Sequence, residues 1–120
     1  AGASGIIGSS LFNYLARDFN VVGLSFRKPL PVPNMYSLDL TNNLEVKKFV
    51  KKNSQIKVLL FLVGLAHKKG KNNDFKEFNL INKKTLIYLL RAFDEVNKIP
   101  QKIIFASTIS IYGERLNQKV

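Results

Sequence analysis

The sequence predicts an α/β fold, a doubly wound parallel sheet with helices on both faces, and three observations carry that prediction. Short β-like apolar runs alternate with longer runs at helical spacing, the pattern of βα units around a parallel sheet. A turn with glycines three apart, Gly2, Gly5 and Gly8, leads straight into the first helical run. Small, polar or glycine residues then follow the β-like runs, where a parallel sheet gathers its ligand contacts.

The elements follow in order. Ile6, Ile7, Leu11, Phe12 and Leu15 recur at helical spacing, and after a turn near Asp18 the run Val21-Val22-Gly23-Leu24 reads as a buried strand. Pro29, Pro31 and Pro33 forbid a helix in the next connection, and residues 35–40 form a second short extended run that includes Asp39. Thr41 or Asn42 can cap a helix reaching about Lys52, with Leu44, Val46, Phe49 and Val50 as its apolar side. Residues 56–63 are the clearest strand. Beyond a polar loop, Phe75, Phe78, Leu80, Ile81, Leu86, Leu89, Leu90 and Phe93 predict one long helix toward Asn97, stopped by Pro100. Residues 102–106 are the last strand, running into Ser107 and Thr108.

No internal repeat or low-complexity linker interrupts this order, so the expected organisation is one partial dinucleotide-binding domain over residues 1–120. A sheet of this kind places its first strand centrally, ahead of the glycine turn. The sequence opens on that turn, so a strand before Gly2 and a substrate region after Val120 are expected in a longer protein.

Composition narrows the function classes. A hydrophobic content of 46% over 120 residues suits an ordered globular chain. Without cysteine there is no disulfide, zinc-thiolate site or cysteine nucleophile, and a single histidine, His67, leaves no multi-histidine metal site, so no metal is expected. The longest apolar run, residues 58–63, is too short to cross a bilayer, and no leader-like segment opens the chain; the expected compartment is the cytoplasm, with no membrane partner. The formal net charge of +11 comes mainly from lysines scattered over solvent faces and loops rather than clustered, which argues against a nucleic-acid partner.

Gly2-Ala3-Ser4-Gly5-Ile6-Ile7-Gly8 is the motif with the most chemistry. Glycine permits the tight turn and the approach of backbone to a pyrophosphate, the last glycine lets the helix lie close to the sheet, and the helix N-terminus faces the anion. A ligand-free glycine-rich helix start is the plainer reading of the same residues. Three further features fall at strand ends beside it: Ser25 with Arg27, Asp39-Leu40, and Val63-Gly64-Leu65. Asp39 can contact an adenine amino group or cap the next helix. Gly64 can admit a phosphate or ribose, or simply end a strand.

Together with Asn82 and the block Ile104-Phe105-Ala106-Ser107-Thr108-Ile109-Ser110-Ile111-Tyr112-Gly113, these residues resemble the extended short-chain dehydrogenase/reductases, the NAD(P)-dependent epimerase/dehydratase group, over essentially the whole chain. The resemblance implies a Rossmann-type domain and a nucleotide-sugar epimerase or dehydratase, with a 4-ketoreductase or a non-catalytic NAD(P)-binding regulatory protein as alternatives. It implies contacts to the cofactor from Gly2, Ser4, Gly5, Ile6, Ile7, Gly8, Ser25, Arg27, Lys28, Asp39, Leu40, Val63, Gly64, Leu65, Asn82, Ala106 and Ser107. The family's catalytic hydroxyl falls on Thr108, and its Tyr-x-x-x-Lys pair matches no tyrosine here: Tyr14, Tyr36, Tyr88 and Tyr112 are followed four positions on by Asp18, Leu40, Ala92 and Leu116. The fragment by itself therefore lacks the acid/base pair.

Asn82 would brace the end of a neighbouring strand as the family's asparagine does, or face solvent. Thr85 stands where the family usually has glycine. Tyr112 would pack near the crevice, and His67 is read as a loop histidine. A homodimer is expected of the full-length protein. The cofactor expected from the residues is NADP: the second strand runs into Ser25-Phe26-Arg27-Lys28 with no acid to accept a ribose 2′-hydroxyl, while Arg27 offers a donor fork to a 2′-phosphate. NAD is the alternative, since many members of the group hold it tightly. Arg27 and Lys28 can equally be solvated cations.

Overall fold

A computed structural model describes residues 1–26, 31–65 and 74–107. In chain order the elements are α1 (Ile6–Leu15), β1 (Gly23–Ser25), β2 (Met35–Ser37), α2 (Asn43–Lys52), β3 (Val58–Phe61), α3 (Asp74–Asn79), a π-helical turn (Leu80–Lys84), α4 (Thr85–Glu95) and β4 (Lys102–Phe105). The strands pair in parallel, β1 with β2 from Gly23↔Met35 to Ser25↔Ser37 and β3 with β4 from Val58↔Lys102 to Phe61↔Phe105. The parallel pairing expected of residues 56–63 and 102–106 is therefore present, in strands shorter than the apolar runs.

Residues 1–3 join the two pairs. The Ala1 nitrogen donates to Leu60 O at 2.7 Å, and Leu62 N donates to Ala1 O at 3.0 Å. On the other side Gly2 N and Ala3 N both donate to Leu24 O, at 3.0 and 2.9 Å. The order across the sheet is thus β2, β1, residues 1–3, β3, β4, and the position ahead of the glycine turn is the central one.

Alternation along β1 sorts the helices onto opposite faces, because consecutive strand residues point to opposite sides. Leu24 belongs to the core formed with Leu38, Leu40, Val46, Val50, Phe61, Leu89, Ala92 and Phe93, which places α2 and α4 on its side. Gly23 faces α1: a Cβ there would lie 2.6 Å from Met35 Sδ and 2.9 Å from the Phe12 ring. Helix α4 buries Thr85, Leu89, Ala92 and Phe93, one stripe at helical spacing, against α2, which buries Val46 and Val50. Lys47 Nζ and Glu95 Oε1 bridge the two helices at 2.8 Å, an exposed pair that adds little beside the apolar contact.

Local chemistry explains the element ends. Asn42 caps α2, its side chain accepting from Leu44 N and Glu45 N at 3.2 and 3.3 Å, while Lys51 and Lys52 sit favourably at the C-terminal end of the helix dipole. Of the two candidate caps, Asn42 is the one used.

Three expectations are corrected. The strand read at Val21-Val22-Gly23-Leu24 lies at Gly23–Ser25, displaced toward the C-terminus, because its partner begins only at Met35. The long helix after the polar loop is broken by the π-helical turn. Its end is set before Pro100: Asn97 takes φ +54, Asn97 N donates to Asp94 O and Lys98 N donates to Phe93 O, a left-handed asparagine terminus. Among the described residues no helix is long and apolar enough to cross a membrane.

Phe61 is fully buried beneath the sheet edge and stacks on Phe105 of the neighbouring strand, centroids 6.0 Å apart. Phe61→Ala is expected to lower the unfolding free energy by about 3–5 kcal/mol in urea denaturation. Leu44, expected on the apolar side of α2, is instead exposed, and Leu44→Ala should change the unfolding free energy by no more than about 0.5 kcal/mol.

Candidate functional site

The described strands run parallel, and residues 1–3 lie between β1 and β3, so the turn at residues 2–8 sits at the sheet's C-terminal edge between two strand ends. Two of its glycines are there for packing. Gly2 has φ +87, and a Cβ on it would lie 2.9 Å from Leu62 C and 3.1 Å from Val63 N. A Cβ on Gly8 would be driven into the Gly2 carbonyl, 2.9 Å from its carbon and 3.0 Å from Ala3 Cα. These two close approaches hold α1 against the turn and the turn against the end of β3.

Gly5 differs. Its added Cβ would meet only Gly2 O, at 3.4 Å, and the residue is exposed. As N-cap of α1 it offers no side chain, so the first amides of the helix lack an intrahelical or side-chain acceptor. Ser4, Ile6 and Ile7 are exposed beside it, Ile6 at 92% and Ile7 at 65%. Both isoleucines recur at helical spacing with Phe12, yet only Phe12 of the three is buried. The isoleucines precede the point where α1 meets the sheet and flank the open turn instead.

The neighbouring strand ends complete the edge. Ser25 closes β1, buried at 2% exposure, and Phe26 after it is exposed. Leu38 N donates to Ser25 O at 2.8 Å, which carries β2 alongside to Asp39 and the buried Leu40. Asp39 Oδ1 accepts from Thr41 N at 2.8 Å and Thr41 Oγ1 at 2.7 Å, so this carboxylate shapes the turn into α2 while Asn42 caps the helix. Past β3, Val63 and Leu65 are partly buried and Gly64 is exposed.

Asn82 reaches this edge from the π-helical turn. Its Oδ1 accepts from Leu65 N at 2.6 Å and its Nδ2 donates to Leu65 O at 3.0 Å. The bracing reading therefore holds and the solvent-facing one does not. Because both ends of the amide are spent on Leu65, Asn82 acts on the edge through backbone. Ala106 N donates to Phe61 O at 3.1 Å, and Ala106 and Ser107 lie exposed just beyond β4. Arg27, Lys28, His67, Thr108 and Tyr112 lie outside the described residues. The structure thus brings the glycine turn together with the ends of β1 and β3. What the sequence did not reveal is the widened turn that carries Asn82.

The group such an edge suits is a dinucleotide, and the fit can be judged on the turn itself: a helix start with open amides, a glycine whose missing Cβ no packing explains, and two glycines that packing does explain. Gly8→Ala and Gly2→Ala are each expected to destabilise the fold by roughly 1–3 kcal/mol through backbone overlap. Gly5→Ala should leave the melting temperature nearly unchanged, and thermal unfolding of the three variants checks this.

Comparison with known proteins agrees with the geometry. The family model described as NAD dependent epimerase/dehydratase matches residues 1–119. No curated protein matches the chain. Among solved structures, an aldohexose dehydrogenase from Thermoplasma acidophilum is similar with a TM-score of 0.74 and 19% identity, over 91% of this chain and 48% of that one. A serine dehydrogenase from Escherichia coli gives 0.70 and 22%, over 87% and 57%. A hypothetical dTDP-4-dehydrorhamnose reductase from Sulfolobus tokodaii gives 0.68 and 20%, over 88% and 36%. The chain spans about half the length of the first two and about a third of the last, and at these identities the likeness is one of fold. With the family model covering nearly its whole length, the chain belongs to the NAD dependent epimerase/dehydratase family.

Proposed function

We propose that this chain is the dinucleotide-binding part of an NAD(P)-dependent oxidoreductase that acts on a nucleotide sugar as an epimerase or dehydratase. The observation that carries the reading is the open turn at Gly5, whose exposed helix start lies between the ends of β1 and β3. The amides of Ile6, Ile7 and Gly8 would receive the pyrophosphate, with Gly5 leaving room for its approach, Gly2 shaping the turn and Ser4 at its rim. Asp39, through Oδ2, and Leu40 would border the adenine. Val63, Gly64 and Leu65 would form the wall along the ribose, held in place by Asn82.

A bound nicotinamide supplies the hydride acceptor or donor; the chain's part is to orient the reacting carbon and exclude water. Ala106 and Ser107 would line that end, and the Thr108 hydroxyl would hydrogen-bond the substrate oxygen on the reacting carbon. The proton acceptor would be a tyrosine of a Tyr-x-x-x-Lys motif in the longer protein. For the cofactor, NADP is favoured over NAD by charge: Ser25-Phe26-Arg27-Lys28 carries cations and no acid where a 2′-phosphate would lie. A homodimer remains the proposed assembly.

Titration of the full-length protein with NADPH and NADH tests the cofactor. NADPH is expected to bind at least ~10-fold more tightly, and Arg27→Ala should erase most of the difference, as loss of one charge-assisted contact worth about 1.5–3 kcal/mol would. Tighter NADH binding in the parent would contradict the assignment. For the chemistry, Thr108→Val should lower kcat by about 10²-fold or more with little effect on cofactor affinity, and Thr108→Ser should keep much of the activity. Unchanged turnover in Thr108→Val would remove that residue from the site.

A further inference from the structure

The helix that follows the polar loop changes register just where it faces the candidate crevice. In an α-helix the Thr85 N–H would donate to Ile81 O; here it donates to Leu80 O, one residue further back. The Ile81 carbonyl is taken instead by the Thr85 side chain, with Oγ1 donating at 2.6 Å. Thr85 is itself buried, at 1% exposure, and Ile81 is partly buried. One residue thus withdraws its amide from Ile81 and satisfies the same carbonyl with its hydroxyl.

The residue following Ile81 is Asn82, whose amide grips both polar groups of the Leu65 backbone at 2.6 and 3.0 Å. Leu65 follows Gly64 past the end of β3, and Leu62 and Val63 pack their backbone against Gly2 of the glycine turn. An unbroken chain of contacts therefore runs from Thr85 through Ile81 and Asn82 to the wall of the crevice. We propose that Thr85 is a positioning residue: its hydroxyl holds the π-helical turn open and so holds Asn82 against Leu65. That this sets the geometry for a dinucleotide rests on the function proposed above; the mechanical link from Thr85 to Leu65 does not.

The residue types fit this role. Valine has nearly the shape of threonine and no hydroxyl, so Thr85→Val keeps the packing and leaves Ile81 O without the bond. Serine keeps the donor and loses only the methyl group.

Hydrogen exchange of the Leu65 amide in the full-length protein, measured alongside NADPH and NADH affinity, tests the link. Thr85→Val should lower Leu65 protection about 10-fold and weaken dinucleotide binding about 5-fold or more, and Thr85→Ser should restore both. In an Asn82→Ala background, Thr85→Val should have no further effect on Leu65 if Thr85 acts through Asn82. Unchanged Leu65 protection in Thr85→Val overturns the proposal, as does an equal further loss in the Asn82→Ala background. If Thr85→Val does not fold, Thr85→Ala removes the same hydroxyl with a smaller side chain and is read in the same way. A parent protein that binds neither dinucleotide while its Leu65 amide still responds to Thr85→Val sinks the cofactor reading and supports the positioning link.

Discussion

The whole arrangement depends on how closely backbone can pass backbone at the seam between β1 and β3. Residues 1–3 hydrogen-bond to Leu24 on one side and to Leu60 and Leu62 on the other, and the chain must then turn at once into α1. Side chains at positions 2 and 8 would occupy the space of the Leu62–Val63 peptide and of the Gly2 carbonyl. Glycine at both positions lets the turn cross there, and the crossing keeps the start of α1 over the sheet edge.

Below this seam the chemistry is ordinary packing. Val46, Val50, Phe61, Leu89 and Phe93 fill the space between the strands and the α2–α4 pair, all nearly inaccessible to water. At the edge the polar groups are organised mainly by local bonds: Asp39 with Thr41, Asn42 with the first amides of α2, Asn82 with Leu65. Rigid backbone is thereby presented at several strand ends, while the first amides of α1 have no side-chain cap.

Much of this was legible in the sequence, for identifiable reasons. Glycines three apart before an amphipathic run have a restricted set of structural uses, so the turn and its place were readable, and apolar runs of strand length located β3 and β4. The Asn42 cap was readable because capping is a local exchange between a side chain and nearby amides. What depends on distant partners was not. Ile6 and Ile7 fit the helical stripe, yet their exposure follows from where α1 first touches the sheet. Val21 and Val22 have strand character, yet pairing in β1 starts only at Gly23, opposite Met35. The π-helical turn left the apolar spacing almost intact, and only the register of its hydrogen bonds reveals it. Pro100 is the visible helix breaker in the sequence, yet Asn97 reaches the left-handed conformation first.

The central claim is that a dinucleotide's pyrophosphate lies on the open start of α1. Amide chemical-shift mapping of the isotopically labelled protein on addition of NADPH tests it most directly. The account predicts the largest saturable shifts at Gly5, Ile6 and Ile7, with smaller ones along residues 63–65 and little change on the outer face of α2. Shifts confined to the lysine-bearing face of α2, or none at Gly5, Ile6 and Ile7 at saturating ligand, would contradict it.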